Sequence, residues 1–247
     1  MNQETSIAKK NAGALATNLF EADANAGSQN ITQEDLALPF LKVLGQLSPE
    51  VNKQNAKFIK GAEPGMIVNS VTKELYDGTK GIDVIPVHYQ RQYVEWQDRG
   101  QSRNAPVAIH KADSDIISTT TRDKSWKDRL PNGNYIQKTA QHFVIILNEK
   151  SSETALISMS STQAKISRKW NSMMMSITKD GKDGPYTPPP FSHIYKLSSV
   201  KNTGKGNEWY GYNVQKVSEI TDGNLYKRAK TFYESCHRAD QLSSKTS

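Results

Sequence analysis

The sequence predicts an α+β domain on a small, twisted antiparallel β-sheet or barrel, with one inserted amphipathic helix and further flanking helices. Three observations lead to this prediction. Short apolar runs of β type, separated by turn residues, begin at Gly65. One apolar stripe at helical spacing interrupts them between Ile166 and Ile177. With 247 residues, the chain has room for one domain with appendages, or at most two small ones.

The first 30 residues predict a disordered arm outside the fold. They are rich in Ala, Asn, Gly, Ser and Gln, so they cannot bury enough apolar surface to offset the entropy of ordering. Order is expected from Ile31. Apolar residues at helical spacing between Leu36 and Leu47 then predict a helix that ends at Ser48-Pro49.

Eight runs with strand character follow, separated by turns rich in Gly, Pro, Asn and Asp. Pro86 has no N–H to give to a sheet and therefore marks an edge or a bulge. Residues 98–138 are polar and mixed in charge, and we expect a long, irregular excursion there. The strand runs are residues 66–71, 74–76, 82–89, 93–96, 140–147, 154–159, 193–200 and 208–217.

The inserted helix is the clearest single element. Ile166, Trp170 and Met174 recur at helical spacing and form an apolar stripe that should dock on the sheet. A last amphipathic helix is expected at about residues 224–235. The cations of the inserted helix fall on a face apart from the stripe and are Lys165, Arg168 and Lys169.

These elements divide the chain into three parts. We expect a disordered N-terminal arm over residues 1–30, a single α+β domain over residues 31–235 and a flexible tail over residues 236–247.

The composition excludes several classes of protein. No run approaches the roughly 20 apolar residues of a membrane-spanning helix, and the N-terminus lacks the apolar core of a secretory signal. The single cysteine, Cys236, cannot form an internal disulfide, which fits a reducing compartment. We therefore expect a soluble intracellular protein that does not bind a membrane.

The charge makes nucleic acid a plausible partner. Lys and Arg number 32 against 25 Asp and Glu, so the formal net charge is +7 and the pI is about 9.3. The excess is local, because residues 160–182 contain five basic residues and one acid. A basic helix face of this kind fits either a phosphate track or ordinary solvation, and the sequence leaves both open.

No residue pattern specifies a metal, a cofactor or an active site. The five histidines stand singly, and Cys236 and His237 are adjacent, so they cannot both aim at one ion. Residues 203–206 contain glycine and lysine but precede a strand, whereas a phosphate-binding loop must open a helix. We therefore expect no cofactor, no metal and no enzymatic activity.

Aromatic and basic residues interleave in several strands. Single-stranded nucleic acid binding uses this combination, because bases stack on aromatic rings while cations contact phosphates. Strand alternation places Tyr89, Arg91 and Tyr93 on one face. The alternative is that these aromatic rings pack in the core, and the sequence does not decide between the two. The candidate nucleic-acid-binding residues are Arg91, Tyr93, Trp96, Lys165, Arg168, Lys169, Tyr195, Trp209, Tyr210 and Tyr212.

Six segments together resemble a family of conserved proteins from tailed bacteriophages. The resemblance runs from about residue 31 to residue 235 and implies a relation to phage single-stranded DNA-binding proteins. The final strand pair is similar to the last hairpin of oligonucleotide-binding (OB) barrels, so the domain is expected to be OB-like. The segments are PFLKVLGQLSPEV, GAEPGMIVNSVTKELYDG, GIDVIPVHYQRQYVEW, ALISMSSTQAKISRKWNSMM, PFSHIYKLSSV and EWYGYNV.

One feature departs from such proteins, which typically end in an acidic tail that recruits partners. This sequence ends in HRADQLSSKTS, so partner recruitment would have to use another region. The resemblance and the residue pattern together predict a non-enzymatic single-stranded DNA-binding protein that acts in phage DNA replication or recombination in the host cytoplasm. Its partners would be single-stranded DNA and phage replication or recombination proteins. The alternative is a virion or assembly protein that makes protein–protein contacts.

Overall fold

The computed structural model describes residues 37–98, 100, 105–148, 152–204 and 206–245. Within these residues, eleven strands form one curled, half-barrel sheet, two further strands form a separate hairpin, and two α-helices accompany them. This is the α+β class that the sequence predicts, and its curled sheet is compatible with an OB-like barrel. The predicted arm over residues 1–30, with residues 31–36, lies outside the described residues.

The eight predicted strand runs correspond to seven of the thirteen strands in the described residues, because two runs form one strand; the other six strands were not predicted. The bounds of the strands and helices are β1 Phe40–Val43, β2 Ile67–Asn69, β3 Leu75–Tyr76, β4 Ile82–Trp96, β5 Ala108–Lys111, β6 Thr121–Arg122, β7 Asp128–Arg129, β8 Tyr135–Leu147, β9 Ser152–Ser160, α1 Ala164–Met175, β10 Lys179–Gly181, β11 Gly184–Tyr186, β12 His193–Gly204, β13 Asn207–Glu219 and α2 Gly223–Lys245.

The main sheet has the strand order β13-β12-β4-β8-β9-β1-β2-β3, with β5, β6 and β7 attached at its side. Its neighbours pair antiparallel except β1 and β9, which pair parallel. The long strands β4 and β8 form the centre. The predicted runs 82–89 and 93–96 are thus one strand, and the register shift between Pro86 and His88 is the bulge that a proline without an N–H requires.

The two helices lie on opposite faces of the sheet. On one face, Trp170 and Met174 of α1 pack in a cluster with Ile157 and Tyr195, so the predicted apolar stripe of this helix is confirmed. On the other face, Phe232 of α2 packs in a cluster with residues of β4 and β8. Full burial of a large apolar side chain contributes about 1.5–3 kcal/mol, so each helix is held chiefly by these side chains.

The helix predicted between Leu36 and Leu47 is wrong where the structure describes this segment, because residues 40–43 form strand β1. Along β1, Leu41 is buried and Lys42 is exposed, as alternation in a strand requires. The strand gains hydrogen bonds from β9 on one side and from β2 on the other. The helical spacing of the apolar residues is a weak local signal that this pairing overrides.

The described part of the excursion, residues 98, 100 and 105–138, is more ordered than expected. It contributes β5, β6 and β7, and its Leu130 packs on Tyr93 and Ile136 of the long strands. A polar network joins it to β4: the carboxylate of Glu95 accepts hydrogen bonds from the side chains of Asn132 and Asn134, at 3.1 and 2.6 Å. The bond from Asn134 is the largest influence on Glu95, and the network lowers the pKa of this carboxyl although burial opposes the shift.

The last helix, α2, runs to Lys245 and so extends beyond its predicted end at Ser235 into the segment predicted as a flexible tail. No helix in the described part of the chain has the length and apolar character needed to cross a membrane.

Candidate functional site

The three cations of α1 lie exposed on the side of the helix that faces away from the sheet. Because Trp170 and Met174 dock on the sheet, the helical spacing turns Lys165, Arg168 and Lys169 outward. Helix α1 contains no acidic residue. Among the residues that the structure describes, none is in an ion pair with these three side chains.

Strand β4 carries further exposed side chains on the same face of the sheet. Arg91 pairs in register with Ala140, and Tyr89 pairs with His142, whose ring stacks on Trp170 of α1. Directly opposite residues in a pair of strands share a face, so Tyr89 and Arg91 lie on the side that α1 covers. Both side chains are exposed.

Lys138 continues this surface along β8. It is exposed and lies opposite Tyr93, so it falls on the same face as Ala140 and Arg91. We name this surface, made of Tyr89, Arg91 and Lys138 together with the outward cations of α1, the basic face. Like the α1 cations, Arg91 has no ion-pair partner within the described residues.

Two lysines elsewhere in the sheet are paired with carboxylates, unlike the cations of the basic face. In the last hairpin, Lys201 pairs with Glu208 at 2.8 Å, and Lys196 of β12 pairs with Asp83 of β4 at 2.8 Å. Such exposed pairs contribute little to stability, but they remove net charge from their surroundings. The cations of the basic face are therefore not offset by acids, although exposed lysines without an ion pair in the described residues also lie elsewhere, such as Lys216 of β13 and Lys227 of α2.

The imidazole of His142 is packed beneath the basic face and carries no charge. It is buried, its Nε2 lies 2.8 Å from Oγ of Ser167, and its ring centroid lies 4.6 Å from that of Trp170. Burial lowers the pKa of His142 to about 3, so the ring is neutral at physiological pH. Its contact with Tyr89, at 5.1 Å between ring centroids, links the exposed tyrosine to the packed core.

Three of the predicted binding tyrosines lie in the core. Tyr93 packs with Leu130, Tyr195 is fully buried, and Tyr212 is buried with its hydroxyl donating to the backbone oxygen of Leu41 at 2.6 Å. Burial raises the pKa of Tyr195 to about 12. A ring this buried has no face free for a base, so these three residues do not belong to the candidate site.

The remaining aromatic candidates are half-buried and are not brought together. Trp209 and Tyr210 are neighbours on β13 and therefore point to opposite faces. A Cβ atom on Gly204 would lie 3.1 Å from the Trp209 ring, so the ring packs over the hairpin backbone. Trp96 lies at the end of β4, and its Nε1 is buried with no hydrogen-bond partner in the part of the chain that the structure describes.

A groove follows the seam where β1 and β13 approach each other without forming a backbone ladder. It has a volume of about 320 Å³, and its lining includes Phe40, Lys42, Ser158, Gln163 and Tyr210. The Gln163 side-chain oxygen accepts the backbone N–H of Tyr212 at 2.8 Å and so bridges α1 to β13.

The sequence reasoning missed several residues of these surfaces. Lys138 fell in the predicted irregular excursion and Phe40 in a predicted helix, so neither was a candidate. Phe40 is 45% exposed beside the groove, which strand alternation from Leu41 would have indicated. Of the ten candidates, the structure brings four onto the basic face: Arg91, Lys165, Arg168 and Lys169.

The described residues contain no cluster of three or more His, Cys, Asp or Glu side chains arranged to hold a metal ion. Two serine–histidine contacts of 2.8 Å occur among these residues, Ser167 with His142 and Ser192 with His193, and both are buried.

Comparison with known proteins places the chain among phage sequences. A family model described as Pam3 phage gp34-like protein matches residues 8–240. No curated protein and no solved structure matches the chain.

Proposed function

This chain belongs to the Pam3 phage gp34-like protein family and is a bacteriophage protein, and we propose that it binds single-stranded DNA without catalysing a reaction. Its role would be in phage DNA replication or recombination in the host cytoplasm, together with other proteins of those processes. The observation that supports this proposal is the basic face, where Arg91, Lys165, Arg168 and Lys169 are exposed and unpaired within the described residues.

The proposed mechanism uses the phosphates as the main contact. When a lysine or arginine neutralises a phosphate, the counterion that was condensed on the nucleic acid is released. This release supplies affinity that does not depend on the base sequence. The cations of α1 would follow the backbone, while Arg91 and Lys138 would hold it against the sheet. The exposed ring of Tyr89 would offer a stacking surface for one base, an interaction that contributes about 1–3 kcal/mol.

A salt titration of oligonucleotide binding tests the proposal. We expect a fluorescein-labelled oligo-dT to bind the full chain, with an affinity that falls steeply between about 50 and 200 mM salt. The double variant R168A/K169A should bind more weakly. Its plot of log affinity against log salt should be shallower by about 0.7 for each phosphate that the variant no longer neutralises.

A matched control lies on the other helix. Lys227 and Lys230 are exposed on α2, which packs on the opposite face of the sheet, so K227A/K230A removes the same charge elsewhere. This control should keep the wild-type salt slope. Absence of oligo-dT binding by the wild-type chain at low salt would overturn the proposal, as would equal slopes in the two double variants.

A further inference from the structure

The hairpin of β6 and β7 presents a tryptophan to solvent. Trp126 is 79% exposed, far more than an aromatic side chain of this size normally is in a folded domain. It lies in the turn of residues 123–127 between Arg122 and Asp128, the last paired residues of the hairpin. We name this segment the Trp126 turn.

Trp126 has a backbone conformation that bulky residues rarely adopt. Its φ is +62°, and its N–H donates to the backbone oxygen of Asp123 at 3.0 Å. Hairpin turns of this kind place glycine or asparagine at the left-handed position, because a bulky side chain there strains the backbone. A tryptophan that is both strained and exposed contributes nothing evident to the stability of the fold.

The surrounding contacts hold this conformation in place. One carboxylate oxygen of Asp123 accepts the backbone N–H groups of Ser125 and Lys127, at 2.7 and 2.9 Å. The other accepts Nε of Arg129 at 2.8 Å, and Arg129 and Lys127 both pair with Asp98. The acids around the turn are thus engaged, whereas Lys124 is exposed and has no ion pair with any residue that the structure describes.

The strand register places the Trp126 turn beside the start of α1. On β8, Ile136 pairs with Asp128 and Thr139 pairs with Ser160, the last residue of β9 before the segment that leads into α1. Three strand residues span about 10 Å, so the hairpin begins about that far from Ser160. Because β7 is antiparallel to β8, the turn that precedes Asp128 extends toward Thr139, and therefore toward Ser160 and the segment that leads into α1.

We propose that the Trp126 turn is a second contact for single-stranded DNA, with the indole of Trp126 stacking on one base and Lys124 contacting an adjacent phosphate. This inference rests on the proposed function and extends its site from α1 across the end of β9. An exposed aromatic ring beside an uncompensated cation is the pair of groups that single-stranded nucleic acid requires.

The variant Trp126→Gly separates binding from stability, since glycine relieves the strain at this position. The variant should unfold at the same urea concentration as the wild type or a higher one, while its affinity for labelled oligo-dT should fall about five- to one-hundred-fold. A structural role for the ring would instead lower stability and leave affinity unchanged. Leu47→Ser is the matched control, because Leu47 is a 98% exposed apolar side chain on another loop, and its affinity should match the wild type.

Intrinsic fluorescence gives an independent readout. Trp170 is buried, and Trp96 and Trp209 are half-buried, so Trp126 is the tryptophan of the chain most open to a stacking base. Unlabelled oligo-dT should quench the wild-type emission, and this quenching should largely disappear in Trp126→Gly. If the wild type binds oligo-dT but the variant keeps its affinity and quenching, the inference is overturned while the proposed function stands. If the wild type does not bind oligo-dT, the proposed function is overturned, and this inference is overturned with it.

Discussion

Lowering the pH from about 7.5 to about 5 should destabilise the folded chain through the buried imidazole of His142. Burial lowers the pKa of His142 from 6.5 to about 3. In the unfolded chain the ring returns to its usual value, so between these two values the unfolded state binds more protons than the folded state. The stability that the neutral ring contributes is therefore complete above about pH 6.5 and is lost as the pH falls toward 3.

The size of this effect follows from the same two values. At about pH 5, about one and a half units below the unfolded pKa, nearly every unfolded chain has a protonated ring while the folded ring stays neutral. Each unit corresponds to about 1.4 kcal/mol, so His142 alone should lower the free energy of unfolding by about 2 kcal/mol.

Urea unfolding followed by circular dichroism at the two pH values, at constant ionic strength, measures this loss. His142→Gln keeps a polar side chain beside Ser167 without a titratable ring, and its pH-dependent loss should be smaller than that of the wild type by about 2 kcal/mol. Partial burial is also the largest cause of a lowered pKa at His193, but this affects both proteins alike, so their difference isolates His142.

The variant Ser167→Ala tests whether burial or the hydrogen bond from Ser167 lowers the pKa of His142. It removes the partner of His142 Nε2 but leaves the ring beneath Trp170, so it should be less stable at both pH values and keep the wild-type pH dependence. Equal pH-dependent losses in the wild type and in His142→Gln would refute the reasoning.

Two further predictions concern the seam between β1 and β13. Tyr212→Phe leaves the backbone oxygen of Leu41 without its buried donor and should lower the free energy of unfolding by about 1–3 kcal/mol in urea; a change within error would show that water replaces the hydroxyl. Gly65→Ala should cost of order 1–3 kcal/mol, because the glycine has a φ of +95° and a Cβ atom would lie 2.7 Å from the ring of Tyr210. An unchanged melting temperature for Gly65→Ala would show that the loop and the ring move apart freely.

The fold could be predicted where neighbouring residues decide it. The paired strands of the last hairpin and the docked stripe of α1 follow from alternation and helical spacing, which are properties of short segments. Strand β1 could not be predicted in this way, because its hydrogen-bond partner β9 lies more than a hundred residues further along the chain. Leu41 is buried only because that pairing exists.

The residues of the candidate site also fall into a group that local sequence patterns predict and a group that they do not. The cations of α1 were predicted as one outward face because a helix with an apolar stripe must turn its other side to solvent. The sequence could not separate the aromatic candidates that are exposed from those that pack in the core. Strand alternation shows which residues share a face, but not whether another element covers that face. Tyr93 is covered by Leu130, from a segment that the sequence indicated only as an irregular excursion.

By itself, then, the sequence determined the fold class, the inserted helix and its uncompensated cations, since each depends on residues within a few positions of one another. Only the tertiary structure decided that Tyr195 and Tyr212 belong to the core and that Arg91 shares a face with α1. It also decided that the polar excursion presents Trp126 to solvent. The physical reason is that burial is a property of contacts between distant segments: the two faces of the central strand β4 are covered by two helices that both begin more than sixty residues further along the chain.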